Sequence, residues 1–162
     1  ASKFAKLESM EELEFQNMDI GAIFRRLVEN FSRRIENKQI IVEFKTNGEY
    51  PASVNPVIED VFANLLLNAI KYSPKESRII IDIIDEGEEW KVKLTDFGEG
   101  ISDDDKPKIF ERFRRANSKD VKGTGLGLAI VKRLVALHGG RVGIDDNPEG
   151  QGSVFWVTVK KA

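Results

Sequence analysis

Residues 64–74 read NLLLNAIKYSP, and this segment is the most informative one for the fold of the chain. The leucines and the isoleucine recur at helical spacing and Pro74 ends the segment, so we expect a central helix here. Asn64 and Asn68 are four residues apart and Lys71 follows three residues later, which places two amides and an ammonium on one side of the helix. Because amides in mid-helix lower helix propensity, we expect a compensating role for them.

Two interpretations of this polar face are open. The ordinary one is a solvated helix face, which is the commoner explanation of an isolated Asn-x-x-x-Asn pair. The other is a nucleotide site in which the Asn68 amide oxygen binds Mg²⁺ and the Lys71 ammonium contacts phosphate, because Mg²⁺ takes oxygen ligands and shares substrate phosphates. In that site Tyr72 would pack on an adenine, and otherwise it would pack on the core.

Residues 96–101 read DFGEGI at the end of a predicted strand. An acid followed by Gly98 and Gly100 is a common turn, which is one interpretation. In the other, the Asp96 carboxylate accepts a hydrogen bond from the amino group of adenine and the two glycines let the backbone pass close to the base. Ile101 would then line the base pocket.

Residues 123–128 read GTGLGL and lead into an apolar helix predicted over 126–137. A dinucleotide-binding fingerprint needs a strand before its glycines, and residues 118–122 do not predict one, so a Rossmann fold is not expected. Free backbone N–H groups at a helix N-terminus bind anions, which favours a phosphate site. The alternative is that the glycines serve only the close packing of a helix.

Residues 109–113 read IFERF within a polar loop. Phe110 and Phe113 either anchor the loop on the core or dock on a partner. Arg115 is a candidate contact for a terminal phosphate, and the alternative is that the arginines of this loop form a solvated face.

The composition limits the class of protein. A chain of 162 residues, 41% hydrophobic and 32% charged, suits one compact globular domain. A formal charge of −2 gives no reason to expect nucleic acid or an acidic membrane surface as a partner. The absence of cysteine and the single histidine exclude disulfides and multi-histidine metal sites. That histidine, His138, is expected to have a structural role at a helix end.

The order of predicted elements indicates an α/β (α+β) two-layer sandwich, with a mixed, mostly antiparallel sheet and helices packed on one face. A loop as long as 97–123 inside a compact domain is usually functional or mobile. The predicted elements are a helical segment over 3–14, a helix over 20–37 capped by Asp19, strands over 39–45 and 50–54, the central helix opened by Asn55 and Pro56, strands over 78–85 and 89–96, the loop, the helix over 126–137, and strands over 141–144 and 153–160.

Taken together, the four quoted blocks resemble the N box, first glycine box, phenylalanine box and second glycine box of the catalytic and ATP-binding domain of sensor histidine kinases. That domain belongs to the wider gyrase, heat-shock-chaperone, histidine-kinase and mismatch-repair ATPase superfamily, with its Bergerat-type ATP-binding fold. Residues 150–153 resemble the small glycine motif before the last strand. One departure is Arg114, which stands where the phenylalanine box often has tyrosine and leaves Arg115 as the phosphate arginine.

The resemblance implies ATP and Mg²⁺ as cofactors and residues 97–123 as the ATP lid. It implies that Asn68 binds the metal, that Asn64 supports the metal and phosphate end, and that Asp96 binds the adenine amino group. Asn64, Lys71 and Arg115 are the implied catalytic residues. The implied cofactor-binding residues are Asn64, Asn68, Lys71, Tyr72, Asp96, Gly98, Gly100, Ile101, Arg115, Gly123, Thr124, Gly125, Leu126, Gly127, Leu128 and Ser153.

The resemblance also implies transfer of the γ-phosphoryl group of ATP to a histidine, for relay to an aspartate of a response-regulator receiver domain. Residues 1–15 are expected to be the end of the dimerisation-domain helix and a linker, and 16–162 the catalytic domain. No phospho-acceptor histidine lies among residues 1–19. We therefore expect a fragment whose histidine belongs to the dimerisation domain of a homodimeric parent, located in the cytoplasm and not itself membrane-bound.

Related enzymes that hydrolyse ATP unaided have glutamate as a general base where this chain has Asn64. General-base catalysis typically contributes about 10²–10⁴-fold, so slow hydrolysis is expected. Two alternatives remain open at this stage: a self-contained ATPase switch of the same superfamily, and a non-catalytic module that senses nucleotide or docks a partner.

Overall fold

The structure, a computed structural model, describes residues 13–45, 47–111 and 127–162. The helices are α1 (Ile20–Asn30), α2 (Ser32–Asn37), α3 (Ile58–Tyr72) and α4 (Gly127–Leu137). The strands are β1 (Gln16–Asp19), β2 (Ile41–Phe44), β3 (Pro51–Val54), β4 (Arg78–Glu86), β5 (Glu89–Asp96), β6 (Val142–Asp146) and β7 (Ser153–Lys160), and a 3₁₀ turn spans Lys106–Lys108.

Five of the strands form one mixed sheet in the order β2-β4-β5-β7-β6. Strand β2 runs parallel to β4, and the other neighbours are antiparallel. Strands β1 and β3 pair antiparallel in a separate ribbon, which an isolated bridge between Ala52 and Lys161 joins to the end of β7. The predicted mixed, mostly antiparallel sheet is thereby confirmed.

The helices cover one face of this sheet and share one hydrophobic core with it, as predicted. Leu65 and Leu66, from the NLLLNAIKYSP segment, are buried on the core side of α3. The rings of Phe24 in α1 and Phe62 in α3 lie 4.4 Å apart, centroid to centroid. Burial of a large apolar side chain contributes about 1.5–3 kcal/mol, so the core fixes which face of α3 is left for polar residues. No helix in the described ranges is both long and apolar enough to cross a membrane.

The first helical region differs from the prediction. A single helix was expected over 20–37, but the structure ends α1 at Asn30 and begins α2 at Ser32, with Phe31 at φ −98° and ψ 14° between them. Asn, Phe and Ser are all weak helix formers, and their succession allows the break. The predicted cap is confirmed, since the Asp19 carboxylate accepts from the backbone N–H groups of Gly21 (3.0 Å) and Ala22 (3.4 Å).

Strand β1 was not predicted, because residues 16–19 show no apolar alternation and depend on pairing with β3. Residues 13–15, just before β1, are not helical, and the rest of the helical segment predicted over 3–14 lies outside the described residues. The start of the central helix also differs. Asn55 accepts from the Val57 N–H at 2.9 Å in a turn, and α3 itself begins only at Ile58.

His138 has the structural role that the sequence predicted, although as a neutral side chain rather than a cation suited to the helix end. It is buried, and its Nε2 accepts the backbone N–H of Asn55 at 3.1 Å. Its Nδ1 therefore carries the proton and donates to the Leu134 carbonyl at 2.7 Å. The ring also lies edge-on to Phe15 at 5.3 Å between centroids. One imidazole thus ties the end of α4 to the turn before α3.

We expect the free energy of unfolding to fall as the solution is acidified below pH 6.5, in part because of His138. Burial lowers the pKa of this imidazole from its ordinary value of 6.5, so the unfolded chain takes up its proton at a higher pH than the folded one. His138→Gln keeps an acceptor for Asn55 but does not titrate. Urea unfolding at pH 7.5 and 5.5 should show a smaller acid loss of stability in this variant, and an equal loss would contradict the assignment.

Candidate functional site

A cavity of about 470 Å³ opens where the C-terminal end of α3, the loop after β5 and the start of β7 meet. Its walls are residues 71–74, residues 96–101, and Gln151, Ser153 and Phe155. A larger groove of about 750 Å³ lies at the opposite end of the β4–β5 hairpin, between Glu86 and Lys161. At that groove Lys161 pairs with Asp85, and Glu86 and Glu89 pair with Arg141, whereas no cation among the described residues pairs with the buried carboxylate of the smaller cavity.

Asp96 is that carboxylate, and only 2% of the residue is exposed. Its Oδ1 accepts from the backbone N–H groups of Gly98 (3.0 Å) and Ser153 (3.3 Å), and no described residue donates to its Oδ2. Burial raises the pKa of Asp96, and the two backbone hydrogen bonds oppose that rise. A buried acceptor that has no donor among the described residues and faces a cavity is suited to a ligand that brings a donor.

Two close backbone approaches set the shape of the cavity. A Cβ at Gly98 would overlap the carbonyl oxygen of Tyr72, so the loop after β5 passes directly against the end of α3. Gly152 has φ +126°, and a Cβ there would overlap the Asp96 carbonyl oxygen. Glycine is required at both positions because any side chain would push these segments apart.

Asn147 is a contributor to the site that the sequence did not single out. This buried amide lies in the β6–β7 turn, and its Nδ2 donates to the Asp96 backbone carbonyl at 2.9 Å. Its Oδ1 accepts from the Glu149 N–H at 2.9 Å, which closes the turn. The Asn-Pro-Glu-Gly sequence of residues 147–150 is typical of a turn, but nothing in it indicates docking on Asp96. Six cavity residues were likewise absent from the predicted site: Ser73, Pro74, Phe97, Glu99, Gln151 and Phe155.

The two asparagines of α3 lie one and two turns before the cavity and do not line it. Asn64 donates through Nδ2 to the Asp60 carbonyl at 2.7 Å, and a Cβ at Gly127 would lie 2.8 Å from its Oδ1. Asn68 is half-buried, and no described residue hydrogen-bonds its side-chain amide. Lys71 lines the cavity, with its Nζ 6.0 Å from the centroid of the Tyr72 ring.

The cavity therefore brings together seven of the predicted site residues, which are Lys71, Tyr72, Asp96, Gly98, Gly100, Ile101 and Ser153. Gly127 begins α4 beside Asn64 rather than on the cavity wall. Leu128 packs in the hydrophobic core. The predicted residues Arg115, Gly123, Thr124, Gly125 and Leu126 lie outside the described residues, as does residue 113.

The described part of the predicted lid, residues 97–111, is anchored on the core. Ile109 and Phe110 are both buried, and the Phe110 ring lies edge-on to Phe155 with 6.4 Å between centroids. Of the two interpretations of Phe110, the structure supports the anchor. Because Phe155 also lines the cavity, the loop is fastened directly behind the cavity wall.

Comparison with known proteins places the chain in a family. The sequence model described as "Histidine kinase-, DNA gyrase B-, and HSP90-like ATPase" matches residues 54–162, which include every wall of the cavity. The chain belongs to this family. It is 33% identical over 162 residues to "Sensor-like histidine kinase SenX3" of Mycolicibacterium smegmatis, covering 97% of this chain and 42% of that relative. The chain thus spans less than half the length of that relative.

Solved structures give the same assignment. The catalytic domain of histidine kinase ThkA superposes with a TM-score of 0.82 at 27% identity, covering 92% of this chain and 97% of that one. Full-length ShkA, solved in complex with AMPPNP, superposes with a TM-score of 0.81 at 29% identity, covering 98% of this chain and 34% of that one. The chain is accordingly an ATPase-type catalytic domain of the sensor histidine kinases, as the sequence predicted.

We expect Gly98→Ala to destabilise the protein, because its Cβ would overlap the Tyr72 carbonyl oxygen. Overpacking of this kind costs about 1–3 kcal/mol. Thermal unfolding should therefore show a Tm lower by several degrees. Glu99→Ala introduces the same residue one position later, on an exposed side chain, and should leave the Tm nearly unchanged. Equal Tm values for the two variants would show that the close approach is not needed.

Proposed function

We propose that this chain binds Mg-ATP and transfers the γ-phosphoryl group to a histidine on a dimerisation domain, for relay to an aspartate of a receiver domain. The observation that carries the proposal is the buried Asp96 carboxylate, whose Oδ2 lacks a donor among the described residues, on the wall of a cavity of about 470 Å³. That volume lies within the range of ligand pockets, about 300–1,000 Å³. Membership in an ATPase family supports the nucleotide as ligand.

At the adenine end, the Asp96 Oδ2 accepts a hydrogen bond from the exocyclic amino group. Guanine presents a carbonyl oxygen at the same edge, which the carboxylate repels, so the site selects adenine. Gly98 and Gly100 let the backbone lie close to the base, and Ile101 and Tyr72 provide apolar contact. The Ser153 N–H keeps the carboxylate oriented through its bond to Oδ1.

At the phosphate end, side chains of α3 would bind the Mg²⁺ ion and neutralise the negative charge of the phosphates. The Asn68 amide is suited to Mg²⁺, since it is half-buried, lies one helical turn before the cavity wall, and has an oxygen that no described residue binds. Lys71 contacts phosphate, and Asn64 supports both groups from the preceding turn. The glycine segment 123–128 and Arg115 are assigned to the phosphates by the resemblance of their motifs. When bound, Mg-ATP supplies the phosphoryl group and its leaving group.

These residues contribute mainly by orientation and charge neutralisation, which is most of what phosphoryl transfer requires. Asn64 cannot take a proton from water, because an amide is not a base and its nitrogen already donates to the Asp60 carbonyl. The domain by itself therefore hydrolyses ATP slowly, which disfavours a self-contained ATPase switch.

The nucleophile and the receiving partners lie outside this domain. We assign residues 1–15 to the end of the dimerisation helix and a linker, and 16–162 to the catalytic domain with its lid at 97–123. The histidine is supplied by the dimerisation domain of a homodimeric parent. Because ATP is the substrate, the domain works in the cytoplasm.

Asp96→Asn should weaken ATP binding about tenfold to a hundredfold, the usual value of a hydrogen bond to a charged group. The amide has one acceptor oxygen, which cannot serve both the backbone N–H groups and the adenine. Calorimetric titration with Mg-ATP would measure the loss. Asp145→Asn makes the same change on an exposed residue of β6 and should bind ATP like the wild type.

The wild-type affinity should also fall on acidification, starting at a higher pH than for an ordinary aspartate. Burial raises the pKa of Asp96, and the protonated carboxyl group no longer accepts the hydrogen bond as an anion. Asp96→Asn should lose this dependence. An affinity of Asp96→Asn equal to that of the wild type at neutral pH would refute the adenine assignment.

The transfer itself is tested by mixing this chain with a separate histidine-bearing dimerisation domain and labelled Mg-ATP. We expect acid-labile phosphate on the dimerisation domain and little free phosphate without it. Asn68→Ala should reduce transfer strongly and make nucleotide binding insensitive to Mg²⁺, while leaving the Tm close to that of the wild type. Tight ATP binding without any transfer would favour a nucleotide-sensing module instead.

A further inference from the structure

Lys38 closes the C-terminal end of α3 from a different part of the chain. Its Nζ donates to three backbone carbonyls, those of Ile70 at 2.9 Å, Lys71 at 3.0 Å and Ser73 at 2.8 Å. Lysine has three donors, and each of them is used here. The residue itself follows α2, more than thirty positions earlier, as the separations of 32 to 35 residues show.

The end of α3 needs such a partner. The last carbonyls of a helix have no intrahelical donor and carry the negative end of the helix dipole, so a cation stabilises them. The helix does not end in a left-handed glycine cap; Ser73 leaves it in an extended conformation, at φ −77° and ψ 135°. The Lys38 ammonium supplies both the missing donors and the charge.

Lys38 is itself held in place by backbone contacts. Its carbonyl accepts the Glu76 N–H at 2.8 Å, and the Ile41 N–H donates to the Ser77 carbonyl at 3.0 Å. Gln39, in the α2–β2 connection, and Glu76, in the α3–β4 connection, adopt positive φ angles of 55° and 62° where the two connections meet. These backbone contacts fix the Lys38 backbone beside the end of α3, within reach of its carbonyls.

Two of the three carbonyls that Lys38 binds, those of Lys71 and Ser73, belong to residues that line the cavity. Tyr72 lies between them. The Tyr72 carbonyl is also the group against which Gly98 passes without room for a Cβ. A shift of this last turn would therefore move the Lys71 side chain and the wall facing the base at the same time.

We propose that Lys38 is a positioning residue for nucleotide binding, because it holds the last turn of α3 at the cavity through three carbonyl oxygens. It touches neither base nor phosphate and acts through the placement of Lys71 and Tyr72. This role rests on the proposed function of the cavity as an ATP site. Lys38 lies in the connection between α2 and β2, which none of the four site motifs includes.

The test compares Mg-ATP affinity, measured by calorimetry well below the Tm of every variant. Lys38→Met removes the donors and keeps the chain length, and we expect binding to weaken about tenfold, as is typical when a residue that orients ligating groups is lost. Lys75→Met is the matched control: it removes an equally charged, exposed lysine near the same helix end and should change affinity less than about twofold. Lys38→Arg keeps charge and donors and should recover most of the affinity.

A double-mutant cycle with Lys71→Met separates positioning from general stability. If Lys38 acts partly through Lys71, Lys38→Met should cost less in the Lys71→Met background than in the wild type. Equal costs in the two backgrounds, equal effects of Lys38→Met and Lys75→Met, or no recovery with Lys38→Arg would each overturn the proposal.

Should Lys38→Met not fold, Lys38→Gln, which keeps two donors, replaces it. This variant should show an intermediate loss of affinity, and wild-type affinity in Lys38→Gln would again overturn the proposal.

The wild type distinguishes this inference from the proposed function. If wild type and Lys75→Met bind Mg-ATP and folded Lys38→Met binds it equally well, the positioning role fails and the ATP site stands. If folded wild type shows no saturable binding, the ATP site itself fails, and Lys38 keeps only its role at the helix end.

Discussion

The site depends on one constraint, the burial of an Asp96 carboxylate that forms no ion pair with any described residue. Two backbone N–H groups satisfy one oxygen, and the other oxygen accepts from no residue in the described part of the chain. A buried carboxylate with this environment costs free energy in the empty protein, which is why its pKa is raised. A ligand that brings a donor recovers that free energy. The buried carboxylate therefore lowers the stability of the domain without ligand and strengthens the binding of the ligand.

The walls around this carboxylate are made mostly of backbone in close contact. Gly98 lies against the Tyr72 carbonyl, Gly152 lies against the Asp96 carbonyl, and Asn147 hydrogen-bonds that same carbonyl. These contacts tolerate little displacement, because protein interiors are packed without spare volume. The same central helix carries buried Leu65 and Leu66 on its other side, so the site inherits its position from the core.

The local pattern of the sequence predicted much of this arrangement. Apolar spacing located the central helix, Pro74 its end, and the acid with its two glycines the loop after β5. The resemblance of the four motifs then assigned them to one site, and the structure brings Lys71, Tyr72, Asp96 and Ile101 to one cavity. Leu128 was predicted to bind the cofactor with the rest of the GTGLGL motif, but it packs in the core, because one face of α4 must be buried.

By itself, the sequence determined most of the helices and strands and which of their faces are apolar, since periodicity is a property of neighbours along the chain. The tertiary structure alone decided the contacts between distant segments. Lys38 reaches Ile70 across 32 residues, Asn147 reaches Asp96 across 51, and Asn55 reaches His138 across 83. Each of these bonds joins a polar group to a backbone atom or ring brought near only by packing, and no local pattern of residue types encodes that proximity. The break at Phe31 and the pairing of β1 with β3 follow the same rule, because weak local preferences yield to tertiary contacts.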